Sequence, residues 1–132
     1  GYYQNPTLTG KVLQNGWLCT GDVATVNDDG LLKIKGRSDD LIIKAGMNVY
    51  PQEIEAVLKT DARVREVLIY GCRHPVLKTQ IGLKVAGLFS TIKEIRDLCN
   101  RLLPPYQVPG RIELVESIEK NGSGKIIRRR NV

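Results

Sequence analysis

Aromatic side chains, histidine and methionine are scarce in this chain: 132 residues hold five Tyr, one Trp, one Phe, one His and one Met. With so few platforms for base stacking and no nucleic-acid motif beside them, direct nucleic-acid recognition is set aside. The three cysteines, Cys19, Cys72 and Cys99, are an odd, scattered set without C-x-x-C spacing. That excludes a disulfide framework or a zinc site as the organising element and favours reduced structural thiols; no metal site is expected. His74 stands alone before Pro75 and reads as a solvated loop residue, not a ligand or catalyst. No apolar run approaches the roughly 20 residues of a membrane span, so none is expected.

The chain is 42% hydrophobic and 26% charged, with a formal net charge of +6. These proportions describe a folded cytoplasmic globule and not a disordered segment. The length suits one domain with a real core, or one small domain with a flanking piece. Positive charge concentrates near the end, where Arg128, Arg129 and Arg130 follow Lys125. Such a cluster can meet a nucleotide's phosphates or an acidic carrier protein, or it can be a solvated tail.

The first third reads as β. Asp29-Gly30 is a turn signal between Ala24-Thr25-Val26 and Leu31-Leu32-Lys33-Ile34, which predicts a hairpin. Leu41-Ile42-Ile43 is a short strand ending at Ala45-Gly46. Pro51 suits the first turn of a helix, with Ile54, Val57 and Leu58 giving it a buried face. Val67-Leu68-Ile69-Tyr70 is a buried strand. Ile81, Leu83 and Val85 alternate with Gly82, Lys84 and Ala86 as a half-buried one. Thr91 and Glu94 form a capping-box pair ahead of Ile92, Ile95, Leu98, Cys99 and Leu102, and Pro104-Pro105 stops that helix. Ile112-Glu113-Leu114-Val115 is a last strand, and Asn121 to Gly124 is a loop. The expected fold class is α+β: a small β-rich lead, then a compact mixed α/β domain with a central sheet of about three strands flanked by helices, in the order β-α-β-β-α-β. The boundary falls in the polar run Arg37 to Asp40.

Several residues in this frame could carry chemistry. An acidic side chain behind a glycine turn, as in Thr20-Gly21-Asp22, can accept bonds from ribose hydroxyls, as in dinucleotide sites; it can equally be a turn aspartate. Arg37 can be a surface ion-pair partner. Asp39 and Asp40 are adjacent, and neighbouring side chains in a strand point apart, which argues against joint metal ligation. Gly46 suits a tight turn. Gly122-Ser123-Gly124-Lys125 lacks the G-x-x-x-x-G-K-[ST] pattern of a phosphate loop, because Ile126 follows the lysine. Taken alone it is a mobile loop with a solvated lysine.

Three segments, in order, resemble motifs of the adenylate-forming enzyme superfamily, which includes acyl-CoA synthetases, luciferases and peptide-synthetase adenylation domains. Gly36 to Glu55 (GRSDDLIIKAGMNVYPQEIE) resembles its hinge region, Gly16 to Asp22 (GWLCTGD) its T-G-D motif, and Asn121 to Arg128 (NGSGKIIR) its C-terminal G-K lysine motif. Gly1 to Pro6 (GYYQNP) also looks like a family segment. The resemblance implies a C-terminal portion of a larger enzyme: residues 1–37 from the distal end of the large N-terminal domain, 38–40 the hinge, and 41–132 a mobile C-terminal domain. The family's Ser/Thr/Gly-rich phosphate loop and acyl pocket lie upstream of these segments. By resemblance, Asp22 holds the ATP ribose, Arg37 serves the ribose and phosphate region, and Asp39 is the backbone hinge. Gly46 lines the channel for the pantetheine thiol. Lys125 stabilises charge at the α-phosphate, and Lys44, where relatives carry serine or arginine, is given a phosphate-facing place. This chain departs from the pattern at Ala45-Gly46, where many relatives have a glycine pair or lysine-glycine. It departs again at Glu119-Lys120-Asn121, where Pro-x-T is often seen.

The implied reaction joins a carboxylic acid to a thiol at the expense of ATP, through acyl-AMP. The implied cofactors and substrates are ATP, Mg2+ and coenzyme A, or phosphopantetheine in place of CoA. None is expected to bind the fragment alone, which is expected to be inactive. The expected partners are the rest of its own N-terminal domain, the acid, and CoA or an acyl or peptidyl carrier protein. GMNVYPQEIE looks more like acyl-CoA synthetases than peptide-synthetase domains. The alternatives are a carrier-protein-loading adenylation domain, a non-catalytic module that docks a carrier or nucleotide, and a generic basic α/β binding domain.

Overall fold

Turn chemistry sets the hairpins. The structure is a computed structural model that describes residues 1–128; of the terminal basic cluster, Arg129 and Arg130 lie outside the described residues. The chain divides into two compact units, Gly1–Asp39 and Asp40–Val132.

The first unit opens with a helix the sequence did not announce, α1 (Pro6–Val12). Its start is specified by Asn5, whose side chain accepts the Leu8 N–H, and by Pro6 at the first helical position. Thr7, Thr9 and Gly10 are weak helix formers, which hid it. Strands β1 (Leu13–Gln14) and β2 (Trp17–Leu18) pair antiparallel across Asn15 and Gly16, both at positive φ. The expected hairpin is present as β3 (Asp22–Val26) and β4 (Leu32–Arg37). Asn27 closes its turn, accepting the Leu31 N–H at 2.7 Å through its side chain and the Gly30 N–H at 2.9 Å through its carbonyl. No hydrophobic side chain of this unit is buried.

The second unit is the mixed α/β domain. β5 (Ile42–Lys44) and β6 (Met47–Val49) form a hairpin, and α2 (Pro51–Leu58) follows. β7 (Val64–His74) and β8 (Lys78–Gly87) form a long antiparallel pair, α3 (Ile92–Leu102) crosses over, and β9 (Arg111–Leu114) returns parallel to β8. The sheet order is β7-β8-β9, with α2 against β7 and α3 against β9. Ile54, Ile69, Ile81, Leu83, Val85 and Ile95 are almost completely buried between sheet and helices. Hydrophobic burial of such side chains, about 1.5–3 kcal/mol each, dominates the unit's stability.

Local expectations were revised in five places. β6 completes a hairpin where only β5 was expected. The buried stripe of α2 is Pro51, Ile54, Glu55 and Leu58, spaced i, i+3, i+4, i+7; Val57 lies off that stripe and is exposed. The α3 cap is half a capping box. Thr91 Oγ1 accepts the Glu94 N–H at 3.4 Å, but the Glu94 carboxylate reaches past Thr91 to the Ser90 N–H at 2.9 Å. His74 ends β7 partly buried, its Nδ1 accepting the Val76 and Leu77 N–H groups at 3.2 and 3.0 Å, so it organises a turn. The supposed polar face of β8 is also largely covered: Ala86 is buried, and Tyr70 lies across Gly82, its ring 2.4 Å from where a Cβ would stand.

Candidate functional site

Asp22 and Arg37 come together in the first unit, whereas Lys125 and the Lys44–Gly46 pair stand on separate hairpins of the second. In the first, a bulge decides the geometry. Counting back from the turn, Val26 faces Leu32 and Ala24 faces Ile34, but Val23 faces Gly36, leaving Lys35 as the extra residue. A bulge of one residue shifts every later pair. Without it Gly36 would face Asp22; with it Arg37 does. Arg37 Nη1 then donates to the Thr20 carbonyl at 3.0 Å and lies 3.4 Å from Asp22 Oδ1. Thr20 Oγ1 accepts the Asp22 N–H, and the Gly21 carbonyl accepts both the N–H and the hydroxyl of Ser38. Gly21 has φ +77°, and a Cβ there would stand 3.0 Å from Arg37 Nη2. The left-handed backbone is what favours glycine there, and the guanidinium packs closely over it. The Asp22 and Arg37 side chains remain 39% and 48% exposed, so their pairing contributes under about 1 kcal/mol. Chemically the cluster sets a carboxylate acceptor beside a guanidinium donor at the surface.

In the second unit Lys125 stands on a small hairpin closed by the Lys120–Ile126 bridge. Asn121 organises it. Its Oδ1 accepts from the Ser123 N–H, the Ser123 hydroxyl and the Lys125 N–H at 3.0, 2.8 and 3.0 Å. Its own N–H donates to the Lys125 carbonyl at 2.8 Å. The loop therefore has a defined shape, and Lys125 is exposed on it.

Gly46 and Ala45 are the two turn residues between β5 and β6, at φ +77° and +50°. Positive φ at both central residues is the two-residue hairpin turn that matches strand twist; Ala45 occupies it with strain that glycine would not have. Nothing lies within 4 Å of a Cβ built at Gly46. Lys44 Nζ donates to the Tyr106 carbonyl at 3.2 Å, so its ammonium is engaged locally. Asp39 is exposed in a short 3-10 turn, Ser38–Asp40, and Asp40 is partly buried.

Sequence reasoning missed a charged network in the second unit. Glu55 Oε1 accepts the Ile69 N–H at 2.9 Å, while its Oε2 pairs with Arg128 Nη2. Arg128 Nη1 donates to the Ile69 carbonyl at 3.2 Å, and its Nε lies 3.6 Å from Asp40 Oδ2. Gln52 Nε2 donates to that same Asp40 oxygen at 2.7 Å, and Gln52 Oε1 is buried with no hydrogen-bond partner among the described residues. The signal was there: a carboxylate at the i+4 position of an apolar helical stripe requires a cation. The sequence places Arg128 instead in a basic cluster that meets phosphates, an acidic carrier or solvent, not a buried carboxylate. A second missed cluster sits on the sheet. Tyr70 donates to Glu113, which also pairs with Arg111 at 3.1 Å. Burial, then that bond, pushes the Tyr70 phenol well above its ordinary pKa, and the same bond holds Glu113 below the usual carboxylate range. No group of three or more His, Cys, Asp or Glu side chains among the described residues is arranged to hold a metal ion, and no helix among them is long and apolar enough to cross a membrane.

Residues 53–125 match the family described as AMP-binding enzyme C-terminal domain. The chain is 39% identical over 131 residues to a long-chain-fatty-acid–CoA ligase of Yersinia pestis, covering 98% of this chain and 23% of the relative. Its fold is similar to that of the amide bond synthetase McbA from Marinactinospora thermotolerans, with TM-score 0.78 and 34% identity over 96% of this chain and 26% of that one. It is likewise similar to O-succinylbenzoate coenzyme A synthetase from Bacillus subtilis in complex with ATP and magnesium ion, with TM-score 0.84 and 28% identity over the same shares. The chain thus spans about a quarter of the length of the relatives it matches.

Proposed function

The chain belongs to the AMP-binding enzyme C-terminal domain family, and we propose that it is the C-terminal part of an ATP-dependent, AMP-forming acid–thiol ligase with CoA as the acceptor. The CoA-ligase names of its relatives support the acceptor. The observation that carries the reading is the ordered hairpin that presents Lys125, together with the Asp22–Arg37 cluster. Residues 1–37 belong to the distal end of a larger N-terminal domain; their exposed Trp17, Leu32 and Ile34 are the kind of apolar surface a further layer covers. Residues 38–40 act as hinge, and 41–132 as the mobile domain. The three free thiols, Cys19, Cys72 and Cys99, support a reducing, cytoplasmic setting.

In the first step a carboxylate oxygen bonds to the α-phosphorus of ATP while the bond to the bridging β-phosphate oxygen breaks, and pyrophosphate leaves with the electron pair. Two anions meet, and negative charge builds on the phosphoryl oxygens. The Lys125 ammonium stabilises that charge. Asp22 accepts from the ribose hydroxyls, and Arg37 both holds Asp22 and offers its remaining N–H groups to the nucleotide. Lys44 would face phosphate only after releasing the Tyr106 carbonyl. Mg2+ would arrive on the nucleotide's phosphates, neutralising their charge. In the second step the thiol gives its proton to water, sulfur bonds to the acyl carbon while the bond from that carbon to the phosphate oxygen breaks, and AMP leaves with the electron pair; Gly46, with open space around it, lets the pantetheine arm pass. The test uses the full-length protein. Lys125→Ala lowers acyl-AMP formation by roughly 10²–10³-fold, the usual cost of removing a group that stabilises developing charge. Transfer from supplied acyl-AMP to CoA stays near wild type. Equal loss in both steps, or in neither, overturns the assignment. Transfer to a phosphopantetheinyl carrier but not to CoA would replace CoA with the carrier-loading alternative.

A further inference from the structure

Both arms of the Lys125 hairpin are tied to β7, but in different ways. The incoming arm uses Glu66, whose carboxylate accepts the Ile118 N–H at 2.9 Å and pairs with Lys120 at 3.0 Å. The outgoing arm uses Arg128, three residues beyond Lys125. Its side chain is 24% exposed, and its two carboxylate partners, Glu55 and Asp40, are only 8% and 11% exposed. Carboxylates so withdrawn from water need a cation, and a planar guanidinium can serve Glu55, Asp40 and the Ile69 carbonyl from three nitrogens at once. A lysine ammonium is a single point and cannot span all three. Asp40 is the first residue of the second unit. Between Arg128 and Lys125 lie only Ile126 and Ile127, both partly buried, with the Ile127 N–H held by the Glu119 carbonyl. Three residues of chain reach about 10 Å at most, so a shift at the guanidinium passes into the hairpin with little slack.

We propose that Arg128 is a positioning residue: by joining Asp40 to Glu55 and to the edge of β7, it fixes where the Lys125 hairpin stands with respect to Asp40, the first residue of the second unit. This rests on the reading of Lys125 given above. Displacement of Asp40 removes one of the guanidinium's two carboxylate partners and loosens the placement of the hairpin. Lysine delivery to phosphate and the position of Asp40 are then coupled through one side chain. The Glu66 arm lacks this property, because its bonds to Ile118 and Lys120 do not involve Asp40.

The experiment measures the two half-reactions separately in the full-length protein for Arg128→Lys, Asp40→Asn, Lys125→Ala and the Arg128→Lys/Lys125→Ala double variant. Arg128→Lys lowers kcat for acyl-AMP formation by of the order of tenfold with KM for ATP within about twofold, as expected when a group is misplaced but not removed. It leaves thiol transfer from supplied acyl-AMP unchanged and adds no further loss to Lys125→Ala. Asp40→Asn, which weakens a single one of the guanidinium's contacts, gives the same step-specific loss at smaller size, and decides the matter if Arg128→Lys fails to fold. A loss that multiplies with that of Lys125→Ala, falls equally on both steps, or is absent overturns the positioning role. Lys125→Ala that leaves acyl-AMP formation intact overturns instead the reading of Lys125 on which the proposal stands, so the two failures are distinguishable.

Discussion

The two units use the same materials to opposite ends. β3 and β4 carry Val26, Leu32 and Ile34, which are 65%, 71% and 61% exposed. β7 and β8 carry Ile69, Ile81 and Leu83, which are at most 1% exposed. Both pairs are antiparallel hairpins rich in β-branched and aliphatic residues. What differs is the second layer: β7 and β8 have α2 and α3 lying across one face and β9 alongside, whereas the first unit offers its hairpins no such cover. An apolar strand becomes core only when another element is laid on it, and a two-stranded hairpin is marginal by itself.

The contrast can be broken by truncating one aliphatic side chain in each unit. Leu83→Ala costs about 2–5 kcal/mol because it opens a cavity in a packed core, while Leu32→Ala stays within about 0.5 kcal/mol, as at other exposed positions; denaturant unfolding of the 132-residue chain reads both. A similar cost from Leu32→Ala would mean that the first unit has a core of its own. Next comes the charged network. Glu55→Ala takes from Arg128 one of its two carboxylates and from the Ile69 N–H its side-chain acceptor, and destabilises by about 3 kcal/mol as broken buried pairs do; a near-neutral result would show the network to be surface decoration. Smaller still is the turn. Gly46→Ala and Gly46→Leu each cost about 1–2 kcal/mol, because the penalty is the left-handed backbone and the added side chain meets open space; a much larger cost for leucine would reveal a neighbour there.

The smallest effect concerns pH. Hydrogen bonds from Arg63, by side chain and backbone, hold the Asp61 carboxyl down at about 2. A folded-state pKa below the unfolded one contributes stability above the unfolded value of about 3.8 and loses it as pH falls toward 2. The melting-temperature gap between wild type and Asp61→Asn therefore narrows from pH 4 to pH 2, and a constant gap would mean that the carboxylate's charge is not what Arg63 holds.

What could be read in the sequence was what is local. Asp29-Gly30, Pro51 after Tyr50, Thr91 ahead of Glu94 and the alternation around Leu83 each announce an element within a few residues, and each element formed. Three features depend on distant partners and left no such trace. The parallel seat of β9 beside β8 follows from the α3 crossover. Asp22 faces Arg37 because β4 carries one extra residue, Lys35, at the bulge, which no turn rule supplies. Arg128 lies 73 residues from Glu55, and only the burial of that glutamate on α2 gives the arginine a purpose. The candidate site was legible as residue types and illegible as geometry for the same reason.

The cap on β7 at Ile69 has a further consequence. β7 is an edge strand of eleven residues, the longest in the chain, and such an edge presents a row of N–H and C=O groups to which a strand of another molecule can add. At its midpoint both groups are already taken, the N–H by Glu55 and the carbonyl by Arg128. An incoming strand would have to displace a paired carboxylate and guanidinium to keep its register across that position. The pair thus withdraws the middle of this edge from strand addition.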